Sequence, residues 1–150
     1  MADKTLKVTS TAFAHNAPIP VRYTCDGENV NPPLKIEGIP DDTKSLVLIV
    51  DDPDAPSGTF THWVIWDIPP TAAIAENASP GGVEGMNNFG KHNYMGPCPP
   101  RGETHRYFIK VFALDNLVGL PASGTEEALE MVLKGKAIAY GELMGLYKRP

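Results

Sequence analysis

Proline and glycine recur so densely in this chain that most of its apolar segments are too short for a long helix: fifteen prolines and fourteen glycines are spread over 150 residues. Proline removes a backbone donor and breaks helices, while glycine favours turns, so the pieces between them are brief. Those pieces are rich in Val, Ile, Leu, Phe and Trp, the texture of an all-β domain. Strands are expected over 6–12, 21–25, 33–37, 45–52, 61–68, 106–114 and 138–147. One segment differs. Ala128, Leu129, Val132 and Leu133 fall on one helical face, with Glu126, Glu127 and Glu130 on or near the other. A helix over 125–134 follows, capped by Ser123 or Thr125 and stopped at Lys134-Gly135. Residues 71–93 read as a long loop with at most a short turn of helix.

The length fits a single domain, 1–150, and 42% hydrophobic residues suffice for a core. A net charge of −5, with Lys and Arg scattered among acids, argues against nucleic-acid binding through phosphates. No stretch is apolar enough to span a bilayer, and Met1-Ala2-Asp3-Lys4-Thr5 lacks the pattern of a secretion signal, so a cytoplasmic protein is expected. Cys25 and Cys98 are too few for a disulfide framework and have no metal-binding spacing. They are expected as free thiols, with a pair left open because both lie near the motifs below.

Two proline-stiffened blocks stand out: Asp51-Asp52-Pro53-Asp54-Ala55-Pro56, and Gly96-Pro97-Cys98-Pro99-Pro100 before His105-Arg106-Tyr107. The run Leu46-Val47-Leu48-Ile49-Val50 is apolar on both faces, so it reads as a central strand. Alternation puts Asp52 on the face of Leu46, Leu48 and Val50, and His62 with Val64, Trp66 and Ile68. His105 and Tyr107 share a face with Ile109 and Val111, whereas Arg106 and Lys110 point away. Carboxylates, imidazoles and a phenol thus gather at strand ends, where β-sandwiches carry their sites. His15 and His92 lie in loops without such a pattern and read as surface residues.

These residues resemble the signature blocks of the phosphatidylethanolamine-binding proteins, and most nearly their prokaryotic, Raf-kinase-inhibitor-like branch. The segments 23–29, 31–34 and 141–145 resemble that branch too, so the likeness runs through nearly the whole chain in order. The resemblance implies a mainly β, antiparallel Greek-key sandwich with one or two short peripheral helices. It also implies a pocket for phosphate, phosphoryl head groups or carboxylates, to which Asp52, Asp54, His62, Cys98, Pro99, His105 and Tyr107 correspond. Cys98 stands where many relatives have glycine, which points to its backbone N–H as the donor. Two departures are Ile36, where relatives commonly carry tryptophan, and an end at Pro150 without the C-terminal helix of animal members.

In such a pocket the Asp side chains would keep His62 or His105 protonated as donors, with Tyr107 and a backbone N–H completing the ring. The expected function is non-catalytic binding, with no cofactor and no metal. Inhibition of a kinase or serine protease by protein contact is the alternative, and a homodimer is allowed by the prokaryotic relatives. A hydrolase or zinc enzyme is disfavoured: no His-x-x-x-His, Cys-x-x-Cys or Gly-x-Ser-x-Gly spacing occurs, and Ser57-Gly58 reads as a turn.

Overall fold

The apolar run in the middle of the chain needs cover on both faces, and the fold is arranged around that need. In the computed structural model, which describes residues 4–150, the elements follow in order. They are β1 (Lys4–Thr5), β2 (Lys7–Thr9), β3 (Leu34–Glu37), β4 (Ser45–Asp52), β5 (Phe60–Ile68), β6 (Ala73–Ile74), β7 (Val83–Glu84), β8 (Thr104–Leu114), α1 (Glu126–Leu133) and β9 (Ala137–Lys148). The leader reading, insofar as it used residues 1–3, lies outside the described residues.

The strands form a six-stranded sheet, β1-β9-β8-β4-β5-β7, and a three-stranded sheet, β2-β3-β6. All pairings are antiparallel except β1 with β9. After the β4-β5-β7 succession, β8 returns by a long connection to lie beside β4, a Greek-key arrangement. The inner side chains of β4, Leu46, Leu48 and Val50, meet Val8, Leu34, Ile36 and Ile74 of the smaller sheet. On its outer side Val47 and Ile49 pack with Val64, Trp66, Leu129 and Leu133 beneath α1. Each such side chain contributes roughly 1.5–3 kcal/mol when fully buried, which makes β4 the most heavily anchored strand.

The helix ends where its side chains dictate. The Thr125 hydroxyl accepts the Ala128 N–H at 3.0 Å, and Gly135, just past the C-cap Lys134, takes a positive φ of 70° that costs glycine little. No helix among the described residues is long and apolar enough to cross a membrane.

Four expectations need correction. Residues 21–25 are not a strand; Val21–Tyr23 forms a 3-10 turn. Its Thr24 hydroxyl bonds the Val21 carbonyl at 2.8 Å and accepts the Asp26 N–H at 3.2 Å, local bonds that compete with a ladder. The 71–93 loop holds the two short strands β6 and β7 and no helical turn. Cys25 and Cys98 are not free thiols but a disulfide. Finally, β5 does not alternate strictly. Its register against β4 shifts between the pairs Val50↔Trp63 and Asp51↔Thr61, and again between Leu46↔Ile68 and Leu48↔Ile65.

At the first shift His62 is the extra residue, so its ring leaves the face of Val64 and Trp66 and turns towards Tyr107. At the second, Asp67 takes a φ of 55° and returns Ile68 to the inner core. Asp67 then accepts the N–H groups of Val118 and Gly119 at 2.6 and 3.0 Å, tying down the approach to α1.

Candidate functional site

Three devices hold the second proline block and the neighbouring loop in place. The Cys25–Cys98 bond joins segments 73 residues apart. Around it, Cys25 N–H donates to the Pro97 carbonyl at 3.1 Å, and Gly96 N–H to Asn29 Oδ1 at 2.7 Å. Gly96 packs so closely that a Cβ there would lie 2.1 Å from the Tyr23 carbonyl oxygen, so only glycine fits without displacement. On the other side, the Asn87 amide donates to the carbonyls of His62 and Asn93 and accepts from Phe89 and Lys91 N–H. Asn88 N–H donates to the Thr61 carbonyl. This loop therefore supplies backbone partners beside the bulge and carries Phe89 over the histidine.

Between these walls lies a cleft of about 410 Å³. Its floor holds Asp52, His62, His105 and Tyr107, each no more than 3% exposed. Cys98, Pro99 and Pro100 form one side, Ala55, Pro56 and Ser57 another, with Phe60, Phe89 and Arg149 at the rim. Polar groups buried this deeply are costly unless paired, so their partners define what remains free for a ligand.

Both oxygens of Asp52 are engaged: Oδ1 accepts the Asp54 N–H at 2.8 Å, and Oδ2 pairs with His105 Nδ1 at 2.7 Å. The second His105 nitrogen, Nε2, meets Glu103 Oε1 at 2.8 Å, although the Glu103 side chain is half exposed. Burial pushes the His105 imidazole down, but Glu103 and Asp52 together outweigh it and hold its pKa above the ordinary value. His62 is the reverse case. Its Nδ1 lies 2.8 Å from the Met95 carbonyl, and its ring is ringed by the edges of Phe60, Phe89 and Tyr107. Burial there pushes its pKa down. The two histidines are pushed in opposite directions, His105 towards its charged form and His62 towards its neutral one, so only His105 is favoured as the protonated imidazole expected from the sequence.

The Tyr107 hydroxyl is buried and makes no hydrogen bond among the described residues. Burial pushes the phenol pKa up, and the charge of Asp52 and a long side-chain contact with it raise it further, so the hydroxyl stays protonated beside Asp52. The Cys98 N–H has no partner within the protein among the described residues. Arg149 gives Nε and Nη2 to Asp26, whose carboxyl is held low by Arg149 and then by the Tyr147 hydroxyl, leaving Nη1 unengaged.

Of the seven residues singled out in the sequence, six line the cleft: Asp52, His62, Cys98, Pro99, His105 and Tyr107. Asp54 does not. Its carboxylate grips the Arg106 guanidinium at 2.8 and 2.9 Å and accepts the Arg106 N–H, which drives its pKa down to about 2. It braces the 53–58 turn against β8. Sequence reasoning missed Phe60, Phe89, Glu103 and Arg149. Arg149 had a signal, since it follows the buried Tyr147 by two residues, the period of a strand paired through His105↔Tyr147.

A histidine titration followed by NMR checks this electrostatic assignment. His105 is expected to release its proton above the model-peptide value of about 6.5 and His62 below it. In Glu103→Gln the His105 value should fall while that of His62 stays; equal values for the two rings, or no response to Glu103→Gln, would contradict the pairing.

Fold and cleft both point to a β-sandwich binding protein, and comparison supplies the family. The chain matches the family described as phosphatidylethanolamine-binding protein over residues 9–148, and it belongs to that family. It is similar to a UPF0098 protein of Pyrococcus horikoshii, 51% identical over 153 residues, covering 96% of this chain and 77% of the relative. A UPF0098 protein of Aquifex aeolicus is 47% identical over 152 residues, covering 96% and 89%. Among solved structures, a putative phosphatidylethanolamine-binding protein homolog from Chlamydia trachomatis superposes with a TM-score of 0.92 at 38% identity, covering 99% of this chain and all of that one. E. coli YbcL, described as a new member of the mammalian family, superposes at 0.89 with 29% identity, covering 97% and 99%.

Proposed function

We propose that the chain is a non-catalytic receptor for small oxyanions, phosphate or phosphoryl head groups or carboxylates, bound in the cleft above Asp52, His62, His105 and Tyr107. One observation carries the reading: the Tyr107 hydroxyl is buried and protonated beside Asp52 but makes no hydrogen bond of ordinary length among the described residues, at the floor of an open cleft. A buried donor left unmade costs about 1–3 kcal/mol, and a ligand oxygen removes that cost. The Cys98 N–H and the Arg149 guanidinium offer further donors, and His105, whose pKa is held up by Glu103 and Asp52, adds positive charge beneath them in its protonated form. Both His105 nitrogens are already committed, which disfavours its use as a general base or metal ligand.

Tyr107→Phe separates binding from folding. Removing the orphan hydroxyl should leave the fold intact and stabilise the empty protein by about 1 kcal/mol, while weakening anion binding on the order of tenfold. Titration calorimetry with phosphate, acetate and phosphoethanolamine reads the binding, and guanidinium unfolding reads the stability. If none of the three ligands binds wild type, or if Tyr107→Phe binds as tightly as wild type, the receptor reading fails.

A further inference from the structure

The cleft floor offers donors and one acceptor, and the acceptor sets which oxyanion fits. Asp52 is the less available acceptor, because each of its oxygens already receives an N–H and its side chain is only 4% exposed. His62 remains. The nitrogen facing the Met95 carbonyl at 2.8 Å must carry the proton, since two lone pairs at that distance repel. No carboxylate hydrogen-bonds this ring, and three aromatic edges enclose it with centroids 5.2 to 5.4 Å away. Burial among these rings outweighs the nearby Asp52 and Asp51 charges and the Met95 and Gly96 carbonyls and favours the neutral ring, whose Nε2, with no hydrogen bond of ordinary length among the described residues, then holds a lone pair. The Tyr107 donor lies beside it, ring centroid to ring centroid 5.4 Å.

We propose that the cleft selects oxyanions that still bear a proton: one ligand oxygen accepts from Tyr107 while a ligand O–H donates to His62 Nε2. The inference rests on the receptor reading above. Its ligand class is hydrogen phosphate, or a phosphomonoester in its hydrogen form. Sulfate has the same shape and charge as the hydrogen phosphate dianion but no proton to give. It would set an oxygen lone pair against the His62 lone pair, or require a buried ring to take up a proton, and both cost free energy.

Calorimetry on the full chain at about pH 8, where inorganic phosphate is the hydrogen phosphate dianion, compares phosphate with sulfate at equal charge and ionic strength. Sulfate is expected to bind at least about tenfold more weakly, the consequence of one unmade buried hydrogen bond. In His62→Gln, whose amide can present either a donor or an acceptor, the two affinities should converge to within about threefold. Nitrogen NMR of wild type gives an independent readout: Nε2 should be unprotonated in the free protein and in the phosphate complex, with its resonance moved by the new hydrogen bond. Equal affinity for sulfate and phosphate, or a protonated Nε2 in the complex, overturns selectivity while leaving the receptor intact. Binding of neither anion overturns both.

Discussion

Replacing both half-cystines, Cys25→Ser with Cys98→Ser, is expected to lower the unfolding free energy by about 4 kcal/mol, one of the largest single effects the fold allows. The bond closes a loop between residues 73 apart, so its removal returns considerable entropy to the unfolded chain. In a chain of this size that corresponds to roughly 8–16 °C in Tm. The folded cleft should survive in outline, because the Gly96–Asn29, Cys25–Pro97 and Tyr94–Tyr23 hydrogen bonds hold the same two segments. Guanidinium unfolding of wild type, with and without a dithiol reductant, and of the variant makes the test. A difference below about 1 kcal/mol would mean that those hydrogen bonds, and not the covalent bond, fix the wall.

Asp52→Asn should cost about 3 kcal/mol, because it removes one partner of a buried ion pair and leaves the other charged. Asp52 and His105 are each 3% exposed, and water cannot take over the lost contact. The amide oxygen can still accept the Asp54 N–H, but its NH₂ then faces His105 Nδ1, another donor. The cost should depend on pH in a definite sense. The folded His105 pKa is raised above its unfolded value of about 6.5, so the stability it contributes is full below that value. It is lost as pH rises through the folded pKa. The gap between wild type and Asp52→Asn should therefore be wider near pH 6 than near pH 9. A gap independent of pH over that window would show that the pair is neutral, and that the charge assigned to His105 is wrong.

These effects sit where the sequence was most and least legible. β4 could be read to its ends, since an apolar run on both faces stopped by Asp-Asp-Pro leaves little alternative. The β8 alternation likewise placed His105 and Tyr107 on the inner face and Arg106 and Lys110 on the outer one. His62 was placed on the wrong face because alternation is read along one strand, whereas a bulge is a property of two paired strands. The disulfide joins positions whose separation carries no sign of contact, and only the folded 96–100 segment brings them together. Asp54 entered the ligand set through the family resemblance; its partner is Arg106, whose side chain alternation had placed on the face away from His105 and Tyr107.

Arg149 reaches the cleft through the β8–β9 pairing, which ends at Thr104↔Lys148, whereas Glu103 meets His105 as a neighbour two residues away. What the sequence could not express was which donors are already spent. Asp52 is taken up by the Asp54 N–H and His105, His105 also by Glu103, and the Asp54 carboxylate by Arg106, whereas among the described residues the Tyr107 hydroxyl, like the Cys98 N–H, makes no hydrogen bond of ordinary length.

A crystal of the protein grown in phosphate would show whether an anion sits on the cleft floor. The account predicts a tetrahedral anion on the cleft floor, with one oxygen about 2.7 Å from the Tyr107 hydroxyl and a second within hydrogen-bonding reach of His62 Nε2. Ordered water alone at that position, at a phosphate concentration that saturates binding in solution, would contradict it.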